Sequence, residues 1–244
     1  MAYLPFISDE AFLKHIQAVL SVGFTKNQEA DQTFYKNVID PFGPIFETAV
    51  NAMSANDWKK FEKSRQSQKT LQNAVGDFHN DILGSVDGWS SLKKGNEVDL
   101  IKDDRSIIAE VKNKYNTVSG GKLVDHYEEF DNLVNRKASE YTGATAFFVQ
   151  IIPKRPGPMN KCFTPSDKAK GMKKSPDEKI REIDGRSFYA LVTGFDDALD
   201  QLHRQIPMAI QNLGQKLGDY SADDISEFTD FFNRAYIPEQ DNLV

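Results

Sequence analysis

Glu97-Val98-Asp99-Leu100-Ile101-Lys102-Asp103-Asp104-Arg105-Ser106-Ile107-Ile108-Ala109-Glu110-Val111-Lys112 reads as a β-hairpin, and its reading decides the fold. Val98, Leu100 and Ile101 lead in, Lys102 to Arg105 form a polar reversal, and Ile107 to Val111 lead out. Side chains alternate across a strand, so Glu97 and Asp99 share one face, and so do Glu110 and Lys112. A turn of Asp103-Asp104 alone, or of all four polar residues, pairs Asp99 with Ile108 and Glu97 with Glu110. Both strands then aim their acids to one side, with Asp99 and Glu110 as diagonal neighbours whose carboxylates can reach one cation. Val98, Leu100, Ala109 and Val111 supply the apolar opposite face.

Carboxylates crowded on one face repel unless something positive sits between them, and hard oxygen ligands of this kind suit Mg²⁺. Lys112 on the same face can hold or deprotonate a water attacking phosphorus, while a metal stabilises the attacking and leaving oxygens. A Glu-x-Lys tripeptide alone ordinarily does no more than keep a strand soluble. An acid on the partner strand in matching phase, at the spacing Asp-x10-Glu-x-Lys, is what turns Asp99, Glu110 and Lys112 into a candidate catalytic centre. Glu97 is a candidate auxiliary acid. Asp77, His79 and Asp81 form a patch upstream in which Asp77 and Asp81 share a helix face, and Asp77 is a second candidate auxiliary. His79 reads as structural, since Lys112 is available. Cys162 as a nucleophile lacks any visible partner.

At these residues the chain resembles the PD-(D/E)XK nuclease superfamily, with Val98 standing where the name-giving motif has Pro. The resemblance implies that the main-chain carbonyl of Val111 joins Asp99 and Glu110 as a metal ligand. Two further stretches, Lys36-Asn-Val-Ile-Asp-Pro-Phe42 and Lys179-Ile-Arg-Glu-Ile-Asp-Gly-Arg-Ser-Phe-Tyr-Ala-Leu-Val-Thr-Gly194, the latter preceded by Cys162-Phe-Thr-Pro-Ser-Asp167, are similar to the type II restriction endonuclease family that cuts at GGNCC. That resemblance implies a homodimer, Mg²⁺ and cleavage of both strands of unmethylated duplex DNA. It also implies a cognate DNA methyltransferase in the same system, with no required contact. On the residues alone, another nuclease of this superfamily (a resolvase or repair enzyme) and a non-catalytic DNA-binding protein stay open.

Composition agrees with a compact enzyme: 244 residues, 39% hydrophobic and 11% aromatic, can bury a sizeable core. A single cysteine, Cys162, excludes an internal disulfide and fits the cytoplasm. Residues 1–19 are amphipathic and broken by Asp9, Glu10 and Lys14, so they form neither a signal peptide nor a membrane span. No internal repeat or low-complexity run is present. A net charge of −6 argues against a DNA partner only if it is evenly spread, and residues 154–186 hold ten basic residues against five acids. The segment from Gly218 onward is acidic and would face away from phosphates.

The chain is therefore expected to form one endonuclease domain of α/β class, a mixed central sheet flanked by helices and carrying a basic insertion. Its parts are an N-terminal helical region (1–66), a catalytic core (67–153), the basic insertion (154–186), and a core strand with C-terminal helices (187–244). Helices are expected at 8–22, at 28–66 with a break at Asp40-Pro-Phe-Gly-Pro44, and at 67–84. Further helices are expected at 123–141, 195–217 and 222–236. Strands beyond the hairpin are expected at 145–153 and 187–193. Ser8 offers only part of a capping box. The insertion reads as one excursion from the sheet edge, too long for a mere connection. Arg181 and Arg186 are its candidates for reading guanine in the major groove, and Lys161, Lys173 and Lys174 for phosphates. The loop 113–121, leaving the catalytic strand, offers Lys114 and Asn116 to the DNA backbone, its paired glycines allowing close approach. A plain turn before a helix is the other reading of that loop.

Overall fold

The computed structural model describes residues 2–92, 95–214 and 220–238. Two compact units divide the chain, one made of residues 1–14 and 79–244 and the other of His15–Phe78.

The larger unit holds a six-stranded sheet in the order β1-β2-β3-β4-β8-β5. In it, β1 (Trp89–Ser91), β2 (Leu100–Lys102) and β3 (Ile107–Lys114) form an antiparallel meander, and β4 (Thr145–Ile152) and β8 (Ile180–Asp184) then run parallel to β3. Strand β5 (Asn160–Cys162) closes the edge antiparallel to β8. This is the mixed α/β sheet expected.

Helix α5 (Gly120–Asn135) covers one face, where Tyr127, Phe130, Leu133 and Val134 pack on Ile108, Ala146, Phe148, Phe163 and Ile180. Helix α6 (Gly185–Thr193) covers the other, with Phe188 meeting Phe147 at 5.8 Å and Trp89 at 6.0 Å between ring centroids. Helix α7 (Ala198–Asn212) packs on α6, and α8 (Ala222–Tyr236) on α7.

Residues 187–193 are helical, not the strand their β-branched and aromatic run suggests. Asp184 caps α6, accepting from Ser187 N at 3.1 Å, and Gly194 ends it in the left-handed region with φ 77°. Caps at both ends and apolar residues at 188, 189 and 192 outweigh strand propensity. Gly185 is required here, because a Cβ would stand 2.4 Å from the Ile151 carbonyl oxygen on β4.

Residues 154–186 likewise do not hang off the sheet edge as a single excursion. They contribute β5 and β8 to the sheet itself, with the short ribbon β6 (Ser166–Asp167) and β7 (Met172–Lys173) between them. The high density of charge masks strand periodicity in Lys179-Ile-Arg-Glu-Ile-Asp184, where only Ile180 and Ile183 are apolar and both are buried.

Helix boundaries differ too. Helix α1 (Asp9–Gln28) begins where Ser8 Oγ accepts from Ala11 N at 3.2 Å, and runs past residue 22. Region 28–66 breaks into α2 (Ala30–Thr33), a 3₁₀ turn (Phe34–Lys36) and α3 (Gly43–Val50). Then α4 (Ala55–Leu83) continues straight through the boundary expected at 66–67. Helix α5 starts at Gly120 and ends at Asn135, while α7 ends at Asn212. Residues 215–217 of the helix expected there lie outside the described residues, as does 218–219 of the acidic tail.

Candidate active site

The site begins with the hairpin's register. Leu100 pairs with Ala109 and Ile101 with Ile108, while the Asp99 N–H donates to the Ala109 carbonyl at 3.0 Å. The reading from sequence is off by two residues, because the reversal is Asp103 to Ser106. Arg105 there adopts a positive φ of 58°, and Asp104 Oδ1 accepts from Ser106 N at 2.9 Å. Side chains repeat every two residues, so a slip of two keeps every side chain on its face. The two acids converge on Lys112 at the point where the ladder ends.

Regular pairing stops at Leu100. Beyond it Asp99 turns its carboxylate into the ladder, and Oδ2 accepts the Val111 N–H at 2.9 Å. Lys112 Nζ lies 3.6 Å from the same Oδ2 and is hydrogen-bonded to Glu110 Oε1. One ammonium thus bridges two carboxylates that would otherwise repel. These side chains are 30% (Asp99), 13% (Glu110) and 25% (Lys112) exposed. Burial first, and the Asp99 charge second, raise the Glu110 carboxyl above its ordinary range, against the opposing pull of Lys112. Lys112 is also raised: burial works against its charge, but Glu110 and Asp99 outweigh it, so it stands as a cation.

Leu100, Ala109 and Val111 are buried on the other face, as the pattern requires. Val98 is buried as well, yet it joins the α5-side cluster with Ile108, because alternation becomes regular only at Leu100. Glu97 is not part of the cluster: it is exposed in the bend ahead of β2, and its charge is felt at Tyr141. Asp77 is exposed on α4 in the other unit. His79 Nδ1 lies 2.8 Å from Tyr189 Oη, and burial lowers its pKa to about 4. That is a structural role.

Three neighbours escape the sequence reading. Gln150, buried in β4, is the register partner of Lys112 and donates to Glu182 Oε2 at 3.4 Å. Glu182 in turn pairs with Lys161 at 3.1 Å. His126 on α5 stacks near Phe148, 5.6 Å between centroids, and its charge reaches Glu110. A polar Gln inside Ala-Phe-Phe-Val-Gln-Ile-Ile was a readable signal, whereas His126 carries none without the crossover that brings α5 over the sheet.

The basic residues separate by face. Lys161 shares a row with Glu182, Phe148 and Glu110, on the site's side of the sheet. Arg181 pairs in register with Phe147 and so points to the α6 side, where it bonds Asn160 and Glu178. Arg186, at the start of α6, is ion-paired to Asp200 of α7 at 3.1 Å. Lys174 is only 15% exposed, clamped between Glu128, Asp167 and the Tyr127 ring, and ties the β6–β7 ribbon to α5. Lys114, Asn116 and Lys173 are exposed.

The hairpin thus gathers Asp99, Glu110 and Lys112 at one end of the sheet, beside the parallel strand β4. The model of the Eco47II restriction endonuclease family matches residues 4–214. The chain belongs to that family. It is 46% identical over 239 residues to the type II restriction enzyme Eco47II of Escherichia coli, covering 97% of this chain and 100% of that one. It is 31% identical over 218 residues to the type II restriction enzyme Sau96I of Staphylococcus aureus, covering 86% of this chain and 80% of that one. The protein is thus a type II restriction endonuclease, a site-specific deoxyribonuclease. Among its described residues no helix is long and apolar enough to cross a membrane.

Proposed function

We propose that this endonuclease hydrolyses both strands of duplex DNA at an unmethylated GGNCC site in an Mg²⁺-dependent reaction, with Asp99, Glu110 and Lys112 as its catalytic residues. The observation that carries the assignment is the bridging of two carboxylates by Lys112 at the end of the hairpin where regular pairing stops.

The donor set suits Mg²⁺: Asp99 and Glu110 offer hard carboxylate oxygens, and the family resemblance adds the Val111 carbonyl. Magnesium keeps several waters of its own, so an incomplete protein shell is the expected form. When bound there it would neutralise phosphate charge and acidify a coordinated water. The remaining chemistry belongs to the chain. Asp99 is held in place by the Val111 N–H, which fixes one ligand against the backbone. Lys112, as a cation, donates to the attacking water and to the phosphate oxygens, orienting the first and stabilising charge on the second. A homodimer is proposed here, its two-fold axis matching that of a palindromic site with one centre per strand.

Lys114, Asn116, Lys161 and Lys173 are assigned to phosphates. Arg181 and Arg186 are not carried forward as base readers, since both are engaged on the α6 side, nor is Lys174, which is engaged with α5. Glu97 and Asp77 are not carried forward as ligands. A cytoplasmic enzyme whose host DNA is protected by a cognate methyltransferase completes the proposal. Phage DNA digested with Mg²⁺, beside a sample with chelator, should give discrete fragments whose sequenced ends fall at GGNCC. Cutting in chelator, or ends at unrelated sequences, would overturn it.

A further inference from the structure

Helix α3 presents its apolar side to solvent. Glu47, itself exposed, accepts from Trp58 Nε1 at 2.7 Å; Pro44 and Thr48 are half-buried, and no residue of the helix is buried. Ile45, Phe46, Ala49 and Val50 fall within an arc of roughly 140° at 100° per residue, and this apolar arc faces outward. Ile45 is 64% exposed, Phe46 70% and Val50 83%, with Phe42 at 67% just ahead of the helix and Val38 at 99%. Phe42, Ile45, Phe46 and Val50 present on the order of 500 Å² of apolar surface, the size of the largest patch on a typical monomer, which is often functional. It is more than half of the ~800 Å² that each partner contributes to a standard interface.

The chemistry of the patch selects its partner. Residues 15–78 carry seven Lys and Arg against seven Asp and Glu. Surfaces that hold DNA are strongly positive, and a charge-neutral unit presenting Phe, Ile and Val matches the core of a protein interface instead. An enzyme with one hairpin centre per chain and two strands to cut needs a second copy of itself, and a two-fold contact sets the same patch against itself.

We propose that α3, together with Phe42, is the face through which two copies of this chain associate. The proposal rests on the dimeric reading above and adds the surface that makes the dimer.

Sedimentation velocity of the full-length protein at physiological salt, from nanomolar to micromolar, tests both. The wild type should be a dimer, and Phe46→Glu should weaken it at least ~100-fold. The milder Val50→Asn should weaken it ~10-fold, so the test survives if the glutamate disturbs folding, which circular dichroism would reveal. A wild type that stays monomeric at tens of micromolar, with or without a GGNCC duplex, overturns the dimer and the face together. A dimer that both variants leave unchanged overturns the face alone. Unchanged dimerisation with lost duplex binding would assign the patch to DNA and likewise overturn it.

Discussion

At the hairpin, charged side chains are turned into the protein, none of the three more than 30% exposed. On α3 and just ahead of it, apolar side chains are turned out, none of the four less than 64% exposed. Each region reverses the usual partition, and each has a local device that permits the reversal. Lys112 neutralises the buried acids in one case. In the other, the Glu47–Trp58 hydrogen bond ties the helix to α4. The difference lies in what is proposed to complete them: a cation and a phosphate at the hairpin, an apolar surface at α3. Departures from the inside–outside rule are informative because folding alone does not favour them.

The largest expected effect comes from emptying the hairpin. Lys112→Ala should lower the cleavage rate by at least ~10³-fold, the scale of losing a preorganised charge donor, while duplex binding in a gel-shift assay persists. Asp99→Asn should be comparably inactive yet keep the fold, since an amide oxygen can still accept from Val111 N. Asp99→Ala should in addition lose about 1 kcal/mol of stability in urea. Cutting by any of these variants would remove the hairpin from the comparison.

A second test probes whether burial keeps an inward-turned group of the larger unit uncharged. The pKa of His79 is lowered from 6.5 to about 4 by burial. The fold therefore favours the neutral ring. Its contribution is complete above pH 6.5 and is lost as pH falls through the interval to 4, amounting to about 3 kcal/mol by pH 4. Urea unfolding of wild type and His79→Gln at pH 7.5 and 5.0 should diverge in pH dependence, and parallel behaviour would refute it.

The smallest effect is expected on α3. If its apolar arc has no partner within the chain, Val50→Asn should change the stability of the dissociated protein by no more than about 0.5 kcal/mol. A loss of 2 kcal/mol or more, measured at nanomolar concentration, would mean the side chain is packed internally and would dissolve the contrast.

Much of the centre was legible in the chain because strand alternation is local: phase alone puts Asp99, Glu110 and Lys112 on one face, and a two-residue slip in register leaves that phase intact. The strand at 145–152, continuous in apolar residues, was legible for the same reason. The misreadings share a cause in context. Residues 187–193 look like a strand until Asp184 and Gly194 are recognised as caps, and β8 looks like an insertion because its polar side chains serve neighbours brought in by other strands. Arg181 and Arg186 read as free basic groups, but Asn160, Glu178 and Asp200 occupy them.

What the amino-acid sequence determined by itself is which acids and which lysine share a face, the set proposed above as the catalytic centre, since period-two alternation and residue type need no knowledge of the rest of the fold. Only the tertiary structure decided that the ladder ends before Asp99, whose carboxylate accepts the Val111 N–H, and that Gln150, Glu182 and His126 lie near the cluster. It also decided which cations remain exposed and that α3 turns its apolar arc outward. Those outcomes depend on turn length, on parallel crossovers and on ion pairs between residues distant in the chain, and no local periodicity encodes them.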